Sequence, residues 1–343
     1  MRHSLLLAEL RDAITPRAFL LMFGVLLVQL GFLLSYVGAF HHPEPRRVPL
    51  AVVAPQQVAD RLDALPGGPV RSTVVRDEGE ARARVMRRDA DGAYVMDPDG
   101  RRDTLLVASG AGGSVTSAVT EIGRSLARDQ DRTLRTVDIA PAGGQDNGSL
   151  TAFYLVVGWL VGGYLAAAML GVTAGARPAT VRRAVVRLLV SAVYAVVSGL
   201  GGAVIVGPVL GALPGHLPEL WGIGTLVVLA ACTLTIALQT LCGVFGIGLA
   251  IVLLVVLGNP SAGGAYQEHM IPGFWSAIGS WLPPGAGVSA VRNTVYFDAH
   301  ALAGPLWTLA VWAAASVAVT LALAARHRPT EPPPLRGYPV LPV

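Results

Sequence analysis

Residues 220–258 read LWGIGTLVVLAACTLTIALQTLCGVFGIGLAIVLLVVLG, without one Asp, Glu, Lys or Arg. Wound as a single α-helix at 1.5 Å per residue, this stretch would run roughly 58 Å, against a bilayer hydrocarbon core of about 30 Å. It must fold back on itself. Gln239 and Thr240 are the most polar pair near its middle and Gly243 follows closely, so the sequence predicts a tight helical hairpin there, with 221–238 going in and 241–257 returning.

Four other stretches, 18–40, 150–176, 188–213 and 301–325, are equally free of charge. Each reaches the about 20 apolar residues that a transmembrane helix needs. With the hairpin they predict a polytopic α-helical membrane protein of six transmembrane helices, the first being 18–40. The last five fall in a transmembrane domain at 150–325. The apolar run at 18–40 exceeds the 7 to 15 residues of a signal-peptide core, so small residues at Val37 and Ala39 do not make it a cleaved signal, and it reads as an anchor.

Orientation follows from arginine, because the chain has no Lys. Arg2, Arg11 and Arg17 precede the first helix, Arg177, Arg182, Arg183 and Arg187 lie between the second and third, and Arg326 and Arg328 follow the last. Six crossings put these clusters on one side, which the positive-inside rule makes the cytoplasm; five crossings would separate them. The expectation is a multi-pass protein of the cell membrane with both termini cytoplasmic and residues 41–149 outside. The segment 43–149 carries 15 Arg against 16 acidic residues, and long charged segments cross largely regardless of charge. The net charge of +4 is therefore a topology signal and does not argue for nucleic acid.

Residues 41–149 are long enough for an independent core and read as a large extracytoplasmic α/β domain inserted between helices 1 and 2. Strands are expected at 48–54, 70–75, 92–96, 104–108 and 133–139, with helices at 56–65, 78–88 and 114–128 between them. Pro66-Gly67-Gly68 and Asp97-Pro98-Asp99-Gly100 break the chain. Such alternation favours a partly parallel sheet with helices on it. Cys232 and Cys242 lie in expected helices, which leaves that domain no disulfide framework.

At the amino end, residues 1–17 place Leu5, Leu6, Leu10 and Ile14 near one helical face. This reads as a cytoplasmic amphipathic segment along the membrane surface, or as an ordinary juxtamembrane start. Residues 326–343 form a Pro-rich cytoplasmic tail that cannot hold a helix. Between the fifth and sixth helices, 258–300 mixes Phe274, Trp275, Trp281, Tyr296 and Phe297 with apolar helical pieces at 275–282 and 288–295. Aromatic residues favour the headgroup layer, so this reads as a segment dipping into the outer leaflet.

No enzyme signature is present: with no Lys, a Walker A loop is impossible, and Gly-x-Ser-x-Gly is absent. The glycines at 110–113 could cradle an anion, or simply form a βα turn. His41 and His42 near Glu44, and His216 and His269 with Glu219 and Glu268, lack fixed ligand spacing, so no metal site is assigned. Polar residues at membrane depth carry more weight. Gln29, Gln239 and Arg292 are the candidates for a substrate path, Gln29 also as a hydrogen bond between helices and Arg292 also as a snorkelling residue. The spans hold no ionised group, which argues against a proton-coupled antiporter. Gly158 with Gly162, and Gly199, Gly201 and Gly202, read as close helix packing or a dimer face.

One amino-proximal helix, a large outside α/β domain, and five helices with a dipping segment before the last together resemble the permease subunits of type-2 ABC exporters. Within that superfamily the chain most resembles the branch that includes the phage infection protein. The stretches that carry this are 78–98 with its strand DGAYVM, GNPSAGG at 258–264, Phe274-Trp275, LPPGAG at 282–287 and 292–297. The resemblance implies a homodimeric half-transporter in the lipid bilayer, with no cofactor of its own. ATP would be held by a separate nucleotide-binding ATPase subunit docking at the amino-terminal segment and at Arg177, Arg182, Arg183 and Arg187. Pro178 could start a docking helix there, although arginines in such a loop also serve topology alone. The function expected is outward movement of a lipid-like or amphipathic substrate. The alternative is a membrane-anchored surface protein whose α/β domain binds an envelope component or a phage.

Overall fold

The computed structural model describes residues 15–326. The amphipathic segment before them and the proline-rich tail after them, with Arg2, Arg11 and Arg328, lie outside the described residues.

Among the described residues, five helices are long and apolar enough to cross a membrane. They are α1 (Pro16–Phe40), α5 (Thr151–Ala174), α6 (Val181–Val204), α7 (Leu217–Cys242) and α11 (Ala303–Arg326). Their starts follow local chemistry. The Thr15 hydroxyl accepts from the Ala18 amide at 3.1 Å and Pro16 needs no donor there; Thr180 caps α6 by accepting from Arg183 at 3.2 Å. Helix α6 starts after this cap, not at Pro178, and runs on through a π turn at Ile205–Val209, where Pro208 interrupts the ladder.

The long stretch does fold back. Helix α7 ends at Cys242, Gly243 adopts φ +62°, and α8 (Phe245–Ser261) returns. The reversal falls at Gly243 and not at Gln239 and Thr240, both helical and buried, because the turn needs a left-handed backbone more than a polar one. A Cβ on Gly246 would collide with the backbone of Leu238 and Gln239. Helix α8 covers only about 25 Å and is widened by a π segment at Val252–Leu257, so among the described residues five helices reach spanning length, against the six expected.

Between α1 and α5 lies a small α/β region: β1 (Val48–Val53), α2 (Gln56–Asp63), β2 (Val70–Val74), α3 (Glu78–Met86), β3 (Gly92–Val95), β4 (Arg102–Val107), α4 (Gly113–Asp129) and β5 (Thr133–Asp138). The strand order is β2-β1-β3-β4-β5, parallel except for the β3–β4 pair. That pair is antiparallel because the 97–100 turn joins its strands directly, and a parallel pair would need a crossover. Strand alternation sorts the core into two faces. Val48, Leu50 and Val52 meet Val58 and Leu62 of α2 and Val115 and Val119 of α4; Ala51, Ala93 and Leu106 meet Ala81 and Val85 of α3.

The helical part reaches into both faces. Met270 joins the first cluster and Phe297, fully buried, joins the second. Both come from the segment before α11, which forms α9 (Gly273–Gly279) and α10 (Pro283–Tyr296). Helix α10 is enclosed over most of its length; Gly287 abuts Val156 of α5 and Val227 of α7. Its first turn is Pro283-Pro284, where the missing amides cost nothing.

Candidate functional site

A concave surface runs along the seam between α5 and α6. At one end a cavity of about 810 Å³ is lined by Tyr154, Gly158, Trp159, Gly201, Ile205 and Leu210. A second, of about 260 Å³, lies along the seam at Met169, Leu170 and Tyr194. A third, of about 830 Å³, shares Leu170 and Val190 with it and ends at Arg182, Arg183 and Arg187. Glycine opens this seam. A Cβ at Gly158 or Gly201 would meet nothing within 4 Å, whereas Gly202 abuts the Trp159 ring and Gly199 abuts Thr225 of α7. The glycines therefore divide between close packing and an open groove. Trp159 is fixed by donating its indole N–H to the Ser198 carbonyl at 3.2 Å.

The four candidate docking arginines also divide. Arg182 and Arg183 are exposed on the first turn of α6, and Arg177, also exposed, donates to the Leu241 carbonyl at 3.1 Å, tying the α5–α6 loop to the α7–α8 turn. Arg187 does not face outward. It is 8% exposed and donates to the Ala174 carbonyl at 2.5 Å, where a cation satisfies the carbonyl end of α5. Arg187 lies one turn further along α6 than the exposed Arg183, at the level where α5 ends, and the free carbonyl there takes up its guanidinium.

Gln29, Gln239 and Arg292 do not line a common path. Gln29 is exposed on α1 and makes no side-chain hydrogen bond among the described residues. Gln239 is buried against Gly171 of α5 with its Nε2 unpartnered. Arg292 does not snorkel: it is 4% exposed and donates to the carbonyls of Gly263 at 2.6 Å and Ser149 at 2.9 Å. It binds the loop after α8 to Ser149, two residues before α5 and over 140 positions away in sequence.

Around it lies a joint that motif reading missed. Gln267 accepts from the Ser114 hydroxyl at 2.5 Å and the Val115 amide at 3.1 Å, and donates to the Gly264 carbonyl at 3.2 Å. It thus caps the first turn of α4 from the helical half. The glycines at 110–113 hold no anion cradle, because Gly110 is packed against Tyr296 and Gly112 against Gln267. Tyr296 donates to the Asp146 carboxylate, which also accepts from the Thr151 amide at 2.8 Å. The sequence offers only a weak signal for this joint: an isolated Gln in a glycine-rich stretch.

Among the described residues, no group of three or more His, Cys, Asp or Glu side chains is placed to hold a metal ion. His42 pairs with Glu44 at 3.0 Å, and His269 faces Glu268 at 3.5 Å and Asp91 at 3.6 Å. No family model, curated protein or solved structure matches this chain.

Proposed function

We propose that this chain is the permease subunit of an ABC-type exporter in the cell membrane, pairing with a second copy and driven by a separate ATPase. It moves a lipid-like or amphipathic substrate outward. The observation that carries this reading is the apolar seam between α5 and α6, open through Gly158 and Gly201 and ending at Arg182 and Arg183. Its walls accept hydrocarbon, and its basic end suits an anionic head or an acidic partner. In this scheme α8 supplies the sixth crossing, α9 and α10 dip from the outer side, and the α/β region lies outside the cell. Exposed Arg177, Arg182 and Arg183 form the docking point for the ATPase, since the chain itself has no phosphate-binding loop. A platform for a surface module needs no groove running along two of its helices.

The test is purification of the tagged chain from its host, followed by reconstitution with the ATPase that accompanies it. Gly201→Trp fills the groove where no atom lies within 4 Å, so folding and co-purification should survive. Outward movement of a fluorescent phospholipid should slow by about tenfold or more, equivalent to about 1.4 kcal/mol on the barrier. Undiminished movement, or reproducible absence of an ATPase from the purified material, would refute the reading.

A further inference from the structure

A pocket of about 80 Å³ lies where the α/β region, the loop after α8 and the start of α10 converge, lined among others by Arg88, Ser261, Gln267, Ser289 and Arg292. It brings together two guanidinium groups without a carboxylate on either. Arg292 spends its terminal nitrogens on neutral carbonyls, and its buried Nε has no partner. A buried charge left in this state is costly unless a counter-charge reaches it. The carboxylate of Asp146 is engaged with Tyr296 and the Thr151 amide and makes no ion pair with Arg292.

Arg88 is itself held in place. It follows the end of α3 with φ +65°, a left-handed conformation unfavourable for a non-glycine residue, and its guanidinium lies 4.6 Å above the buried Phe297 ring. Among the described residues it has no ion pair. Asp91 and Glu268 also line the pocket, and both face His269, at 3.6 and 3.5 Å, which lines it with them. The result is a small polar pocket with two forked cations, hydroxyl groups beside them and one orphaned N–H.

We infer that this pocket binds a small oxyanion of the phosphate type, bridging Arg88 of the α/β region and Arg292 of α10. Guanidinium groups match phosphate oxygens in geometry as well as charge. The volume admits one such group and no acyl chain, so the oxyanion is either free phosphate or the exposed phosphate of a lipid head. Its presence would fasten the α/β region to the helices. The inference does not depend on the export reading.

The test uses the full chain in dodecyl maltoside, free of phosphate, with Tm followed by tryptophan fluorescence. Added inorganic phosphate, against sodium chloride of matched ionic strength, should raise Tm saturably by about 2–4 °C. Arg88→Gln should abolish that rise, and Arg88→Lys should keep a weaker one, whereas Arg101→Gln, an exposed control paired with Asp131, should respond as the parent does. If a lipid head is the natural occupant, nanodiscs containing phosphatidic acid will raise Tm in an Arg88-dependent way and make added phosphate ineffective; if free phosphate is, its effect persists in them. Equal responses of the parent and Arg88→Gln, or no response to phosphate or phosphatidic acid, would overturn the proposal.

Discussion

Asp103 in the α/β region and Gln239 in the helical bundle are enclosed to nearly the same degree, yet their surroundings differ. Asp103 accepts from Arg132 at 2.7 and 2.8 Å, from the Asp97 amide at 2.9 Å and from the Tyr94 hydroxyl. Gln239 lies against Gly171 with its Nε2 unpartnered among the described residues. A water-surrounded domain keeps a buried charge only by surrounding it with donors. A bundle in lipid gains little from hiding apolar surface and holds together through close packing at small residues. The contrast recurs among equally apolar helices, since the most apolar window of α7 is 72% buried and that of α1 6%. Hydropathy identifies a span, and packing decides whether it is core or edge.

The largest effect is expected where the charge is best paired. Asp103→Asn leaves Arg132 without its counter-ion in a buried site and should cost on the order of 3 kcal/mol. Proteolysis of the 41–149 segment in the intact chain would read this, with the helical content of the bundle unchanged. Acid should act on the same contact. Burial alone would raise the Asp103 carboxyl, but the hydrogen bonds from Arg132, Tyr94 and the Asp97 amide outweigh it and hold the group below its ordinary value. A depressed carboxyl contributes its full stability above the unfolded value of about 3.9 and loses it as pH falls through the folded one. The α/β region should therefore become protease-sensitive below about pH 4 while the spans, which have no such carboxylate, keep their helical signal. Simultaneous loss of both would mean that the two regions unfold as one.

In the bundle the equivalent weak points are glycines. Gly246→Val would drive a side chain into the backbone of Leu238 and Gln239 at the α7–α8 turn, and should lower stability by about 1–3 kcal/mol through overpacking. Gly24→Val on α1, where a Cβ meets nothing within 4 Å, should leave Tm in detergent within error. A comparable loss at both sites would show that α1 is packed as tightly as α7.

Local signals in the sequence made much of the fold legible, and distance hid the rest. The strand–helix alternation between 48 and 139 is punctuated by Gly67 and Gly68, both in left-handed conformation, and the α7–α8 reversal sits on Gly243. These are nearest-neighbour signals. Arg292 and Arg187 read differently in sequence and structure, and Gln267 has no reading in sequence at all, because their partners are carbonyls or helix ends 13 to more than 140 residues away. No spacing rule encodes a carbonyl. Phe297 reads as an interfacial aromatic by composition; only the docking of the α/β region makes it a core residue.

The smallest effect should come from Gln29, and it tests what covers α1. An exposed amide on an otherwise lipid-facing helix is unsatisfied unless another chain reaches it. In the dimeric reading, the second copy supplies that partner. Interhelical hydrogen bonds in membranes average about 0.6 kcal/mol, so Gln29→Leu should weaken self-association roughly threefold, measured by energy transfer between labelled chains in nanodiscs across protein-to-lipid ratios. Gln239→Leu is the matched control, since its side chain is enclosed within one chain and should leave association unchanged. If the two variants behave alike, α1 is not at the interface, and the surface that pairs the copies must be sought along the α5–α6 seam.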